Sequence, residues 1–219
     1  MAAQLMSMFG MSKPVGPLKL YYFPIAGRGE LIKLIAACGK LELVDGGAEL
    51  TAEQKLAFGS PGSVPVLEHG DFKLAQSNAI ECYVAGLVPK FAALSAQQKA
   101  TDQMFALIKE DMVGACAKEA FGGKDPAVIT AALDKWLAVL ESKIPATGFV
   151  LGLAYPTVAD LAVYNICTGY MPFGGCYKLA SYDVAAKFPK VAALAALVKA
   201  HECLKDYASS TEAAAAFGL

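Results

Sequence analysis

The sequence predicts an α/β N-terminal domain on a four-stranded mixed sheet, followed by an all-α C-terminal domain. Three observations carry that prediction. The first stretch alternates short strand-like runs with amphipathic helical runs, the order that makes a sheet covered by helices. Two strand-like runs then stand side by side as a hairpin. Beyond residue 95, apolar residues recur at steps of three or four and strand signals stop.

The elements follow in order. "LKLYY" (18–22) reads as a strand ending before Pro24. "GELIKLIAACG" (29–39) carries Leu31, Leu34, Ile35 and Cys38 at helical spacing, and Gly39 is a stop. "LELV" (41–44) is a short strand, and Thr51-x-x-Gln54 is a capping box opening a helix over 51–59. "VPVLEHGDFKLA" (64–75) reads as a hairpin turning at His69-Gly70, and "QSNAIECYVAGLV" (76–88) as the helix after it. Helices are then expected over 95–121, 126–144 (with Pro126 in the first turn), 156–170 and 188–204. The boundaries predicted are a sheet domain at 17–91, a linker near 89–95, a helical domain at 95–219 and a flexible extension at 1–16.

Composition narrows the function classes. A formal net charge of −1 with 18% charged residues gives no electrostatic reason to expect nucleic acid or an anionic membrane. The hydrophobic fraction of 56% raises the question of a membrane span, but no apolar run approaches the roughly 18–20 residues needed. Much of the excess is alanine, a helix former. The six cysteines (38, 82, 116, 167, 176, 203) include no C-x-x-C, which argues against a zinc site or a dithiol redox centre. Dispersed among apolar neighbours, they read as reduced core residues of a cytoplasmic protein. His69 and His201 read as surface residues. The N-terminus lacks the positive region of a signal peptide.

Three short segments could carry chemistry. In "YYFPIAGRGE" (21–30), neighbouring strand side chains face opposite ways, so one tyrosine alone can face a given site. In "SVPVL" (63–67), Pro65 suits a strand start or edge, and a cis Val64–Pro65 bond is the rarer reading. In "QSNAI" (76–80), Ser77 either caps a helix or helps the helix start hold a carboxylate.

Taken together, these segments resemble the thioredoxin-like N-terminal domain of the cytosolic glutathione transferases. "YFPIAGRGE" is similar to the first strand and turn of their tyrosine-type classes, closest to sigma-like members. "TVADLAVYN" (157–165), with Thr157 and Asp160, resembles the capping box of their second domain. The resemblance spans about residues 18–208. It implies glutathione as co-substrate, no metal, a homodimer and a hydrophobic electrophile. It makes Tyr22 the hydroxyl that stabilises the glutathione thiolate, and leaves Tyr21 to packing. Ser63, Val64 and a cis Pro65 would meet the cysteinyl backbone as an added strand. Gln76 and Ser77 would hold the γ-glutamyl end, and Asp111 from the partner subunit would reach its amine. Arg28 would support the thiolate or form a structural ion pair. Phe23, Ile25, Met112, Phe121 and the C-terminal "AAAAFGL" would wall the second substrate site.

The sequence departs from the family pattern between its second strand and Val64, where "VDGGAELTAEQKLAFGSPGS" has no tryptophan. Lys55 is the one lysine there to take the glycyl carboxylate, and the single tryptophan, Trp136, falls in the helical half, where core packing is expected. The resemblance also admits a prostaglandin D synthase-like isomerase using the same site, and a non-catalytic binding or structural relative.

Overall fold

The computed structural model describes residues 16–168 and 171–207. The extension at 1–15 and the "AAAAFGL" segment lie outside the described residues. Strands β1 (Leu18–Tyr21), β2 (Leu43–Asp45), β3 (Val66–His69) and β4 (Phe72–Ala75) form one sheet in the order β2-β1-β3-β4. β1 and β2 are parallel; β1–β3 and β3–β4 are antiparallel. Helices α1 (Glu30–Cys38), α2 (Ala52–Ala57) and α3 (Ser77–Leu87) accompany the sheet. The helical part comprises α4 (Pro89–Ala92), α5 (Ala96–Lys118), α6 (Pro126–Lys143), α7 (Val158–Cys167), α8 (Phe173–Leu179), α9 (Val184–Lys187) and α10 (Pro189–Ala200).

Strand alternation divides the N-terminal core. Leu18, Leu20 and Tyr22 join the large core with α1, α3 and the helical domain. Tyr21 points the other way, into a small cluster with Phe58, Val66 and Ala75. Its ring meets Phe58 edge-on at 5.6 Å, and the Lys19 ammonium lies 5.0 Å over it. The larger core runs unbroken from β1 through α1 to α5, α7 and α10. Trp136 packs against that core from α6.

Side-chain caps fix the starts of three helices. Thr51 with Gln54 opens α2, and Ser95 with Gln98 opens α5, each by reciprocal hydrogen bonds. At α7 the buried Asp160 accepts the Thr157 N–H and the Val150 N–H, both at 2.7 Å. Asp102 of α5 accepts the Thr157 hydroxyl at 2.6 Å and the Ala159 N–H at 3.0 Å. The "TVADL" box therefore locks α7 to α5 as well as capping it.

Several expectations need correction. β2 starts at Leu43 rather than Leu41, because the Leu41 N–H closes the end of α1 on Ala36 O at 2.9 Å. Lys40, at φ +53, makes that reversal. The hairpin turns at Gly70–Asp71, and His69 ends β3, half-buried, with Nδ1 2.8 Å from the Tyr83 hydroxyl. His201 is half-buried too and accepts the Cys203 N–H at 3.2 Å. The helix expected over 156–170 stops at Cys167; α8 and α9 follow, both unforeseen. α8 contains two glycines and α9 is one turn long, so neither has a strong propensity signal. Cys82, expected in the core, is exposed on α3.

Candidate active site

The sheet register gathers the three motif segments at one end. Tyr21 pairs with Val66, and Val66 with Ala75. Continued by one residue, those pairings set Tyr22, Pro65 and Gln76 in a row across the strand ends. The Val64–Pro65 bond is cis. Ser60, buried just before it, fixes the approach: its hydroxyl donates to Ser63 O at 2.8 Å and accepts the Ser63 N–H at 2.9 Å. Gln76 is exposed with φ +72, a left-handed backbone unusual for a residue other than glycine. It delivers the chain directly into α3 at Ser77.

Tyr22 sits under the Gly27–Arg28–Gly29 turn. A methyl group on Gly27 would collide with its hydroxyl, and one on Gly29 with its ring. Gly27 also holds φ +42. The two glycines of the motif therefore let the turn close over the tyrosine. The Arg28 backbone N–H donates to Tyr22 Oη at 2.9 Å. Burial raises the Tyr22 pKa above its ordinary value, against the smaller opposing pull of the Arg28 amide. The phenol is thus protonated at neutral pH, and with its oxygen already accepting, it keeps its proton to donate.

A polar chain runs from this turn into the protein. Arg28 Nε donates to Glu110 Oε1 at 2.5 Å, and the Ser77 hydroxyl makes a long 3.4 Å contact to Glu110 Oε2. Lys109, wholly buried, stands 3.7 Å from Glu110 Oε2 and donates to Glu81 Oε1 at 2.6 Å. Asn78 donates to the other Glu81 oxygen at 3.3 Å. Burial pushes the Glu81 carboxyl up to about 7, opposed by the Lys109 ammonium. The start of α3 is thus backed by two carboxylates and two cations.

The remaining candidate residues are placed less uniformly. Lys55 is half-buried on α2, and its carbonyl accepts the Ser60 N–H at 3.0 Å, tying α2 to the Ser60–Ser63 turn. The Ser63 side chain is exposed. Asp111 is exposed on α5, next to Glu110 and about 100° around the helix from it. Phe23 and Phe121 are 50% and 53% exposed, and Ile25 is half-buried. Met112 is a correction: at 1% exposure it belongs to the core and offers no wall to a second substrate. Among the described residues, no group of three or more His, Cys, Asp or Glu could hold a metal ion. No described helix is long and apolar enough to cross a membrane.

Sequence reasoning missed Glu110, Lys109, Glu81 and Ser60. A signal was present for two of them. Lys109 interrupts the apolar series Phe105, Met112, Cys116 of α5, and Glu81 falls on the stripe of α3 that carries Ile80 and Val84. A charge on the apolar stripe of each of two helices marks a buried pair.

Comparison with known proteins identifies the family to which this fold belongs. The family model "Glutathione S-transferase, N-terminal domain" matches residues 40–86, and "Glutathione S-transferase, C-terminal domain" matches residues 110–211. A Dictyostelium discoideum protein provisionally named glutathione S-transferase alpha-2 is 30% identical over 146 residues, 67% of this chain and 70% of its own. The Onchocerca volvulus pi-class glutathione S-transferase has the same fold, with a TM-score of 0.69, 22% identity, and 91% of this chain and 96% of its own covered. Rice GST1, solved in complex with glutathione, superposes with a TM-score of 0.72 at 17% identity, covering 92% of this chain and 95% of its own. Family models on both halves and a relative matched across two thirds of its length show that this chain belongs to the glutathione S-transferase family.

Proposed function

We propose that this chain is a tyrosine-type, sigma-like transferase that adds the glutathione thiolate to hydrophobic electrophiles, a detoxifying conjugation in the cytoplasm. The observation that carries the reading is the Tyr22 hydroxyl, held by the Arg28 amide at 2.9 Å and kept protonated by burial. A free thiol has a pKa of about 8.5, so little of it is nucleophilic thiolate at neutral pH. A hydrogen bond donated to the sulfur favours the charged form and lowers that pKa.

In this reading glutathione lies across the row of strand ends. Its cysteinyl backbone pairs with Val64, presented by cis Pro65 and the Ser63 turn. Its γ-glutamyl carboxylate rests on the start of α3, at Gln76 and Ser77. Arg28 reinforces the thiolate field through the turn that covers Tyr22, and Lys55 attends the glycyl end. Phe23, Ile25 and Phe121 form the apolar wall for the electrophile. Asp111 completes the γ-glutamyl site of a partner subunit in a homodimer. Met104, Leu107 and Asp111 share one face of α5, at steps of three and four, and all are exposed, which suits such a contact.

The test is Tyr22→Phe. Loss of one hydrogen bond to a charged sulfur should lower kcat/KM with an aryl halide roughly 10- to 100-fold. The thiol pKa of bound glutathione, read from thiolate absorbance, should rise by about 1–2 units. Conjugation as fast as in the parent would sink the proposal. Glutathione is consumed mole for mole with product; an unchanged glutathione pool would point to isomerase chemistry at the same site.

A further inference from the structure

Two cysteines that the sequence keeps 165 residues apart meet at the domain boundary. Cys38, the last residue of α1, and Cys203, in the turn after α10, have their sulfurs 2.6 Å apart. Both are free thiols, and their sulfurs touch. The Lys90 ammonium, from α4, lies 3.5 Å from Cys38 Sγ. All three groups line one cavity of about 830 Å³ between the two domains. Lys40, His201 and Lys205 line it too, with Glu202 and Asp206 as the acidic groups. The three lysines, Lys40, Lys90 and Lys205, against two acids suit an anionic visitor.

The two thiols are not equivalent. The Cys203 thiol and Lys90 both favour the thiolate on Cys38, and its pKa falls below the ordinary value despite burial. Cys203 is raised, chiefly by its contact with Cys38 and by burial, and so keeps its proton. The Lys90 ammonium, 3.5 Å from Cys38 Sγ, favours the thiolate at that sulfur, with Cys203 beside it. The segment around Cys203 is anchored a second time: the Tyr207 hydroxyl donates to Glu30 Oε1 at 2.9 Å, at the opposite end of α1. Residues 203–207 therefore strap α1 from its last residue to its first.

We propose that Cys38 and Cys203 form a reversible dithiol–disulfide couple, oxidised by glutathione disulfide, that fastens the C-terminal strap to α1. The Cys38 thiolate attacks one sulfur of glutathione disulfide, forming a mixed disulfide and releasing one glutathione thiolate. Cys203 then attacks the Cys38 sulfur, its proton passing to the departing second glutathione. The sum is one protein disulfide and two reduced glutathiones for one glutathione disulfide, a two-electron exchange. This couple is independent of the chemistry proposed at Tyr22.

The experiment titrates the full chain against mixtures of reduced and oxidised glutathione, blocks free thiols and maps linkages by peptide mass. The expected product is a Cys38–Cys203 peptide that disappears when reduced glutathione is restored. Closing so long a loop should raise Tm by ~5–10 °C in the oxidised protein. Cys203→Ser should stop at a glutathione adduct on Cys38. Cys38→Ser should react at Cys203 at least tenfold more slowly. Absence of the linked peptide from the unsubstituted chain in pure glutathione disulfide overturns the couple. Equal adduct rates on the two single variants overturn the assignment of Cys38 as the attacking thiol.

Discussion

The two walls flanking the row Tyr22–Pro65–Gln76 are built in opposite ways. On the α3 side, Ser77, Glu110, Arg28, Lys109 and Glu81 form a continuous polar chain that reaches into the core of the helical domain. On the α2 side, the helix is six residues long, buries none of them, and meets the row through the backbone of the Ser60–Ser63 turn. A charged ligand group on the first wall meets partners already held in place. One on the second meets half-buried Lys55 and exposed Ser63, whose ordering must be supplied on binding. Binding strength should therefore be concentrated at the α3 wall.

The largest effect should come from its buried pair. Lys109→Met leaves Glu81 without its cation in the core, which should cost about 3–5 kcal/mol of stability at pH 8. The pH dependence has a definite sign. The folded Glu81 carboxyl lies at about 7, above its unfolded value, so the folded state holds the proton over the interval between them. Stability from this group is complete below the unfolded value and declines as pH rises through about 7. Removing Lys109, which lowers that pKa, should move the decline to higher pH. At pH 5 the variant should therefore recover much of its loss. Urea denaturation at the two pH values measures this. A loss independent of pH would mean that Glu81 is not the group left uncompensated. The double variant Glu81→Met/Lys109→Met should regain most of the stability, since a buried ion pair is often replaceable by apolar packing.

A smaller effect should come from Ser77→Ala. A hydrogen bond to a charged ligand group is worth about 1.5–3 kcal/mol, so KM for glutathione should rise roughly 10- to 100-fold. The γ-glutamyl end does not change during reaction, so kcat should move little. A fall in kcat with KM unchanged would place Ser77 in support of Tyr22 and Arg28 instead of ligand binding.

The contrast between the walls also explains what the sequence made legible. Tyr22, Pro65 and Ser77 are readable because each belongs to a local pattern: a strand end, a Val-Pro start, a helix start. Their convergence follows from strand register, which alternation determines. Glu110 is not readable in that way. It lies one residue from Asp111, and only the rotation of α5 against the sheet decides which of the two faces Arg28. The meeting of Cys38 and Cys203 is still further from local pattern, because it depends on how α10 ends against α1. The same holds for α8 and α9, which are short and glycine-containing or single-turn, and are held by tertiary contacts in place of their own propensity.

The smallest effect, and the sharpest test of the comparison, belongs to Lys55. Lys55 is a half-buried residue on a helix with no buried residue, so an ion pair to a glycyl carboxylate should be worth about 0–1 kcal/mol. Lys55→Ala should then raise KM for glutathione by less than about fivefold. γ-Glutamylcysteine, which lacks the glycyl residue, should bind the parent nearly as well as glutathione does. It should bind parent and variant equally, because the group that Lys55 would meet is gone. Steady-state KM values for the two thiols on the two proteins close this cycle. A coupling well above 1 kcal/mol would mean that α2 closes over bound glutathione and desolvates the pair. The α2 wall would then be assembled by the ligand, and the difference from the α3 wall would be one of timing, with one wall ordered before binding and the other by it.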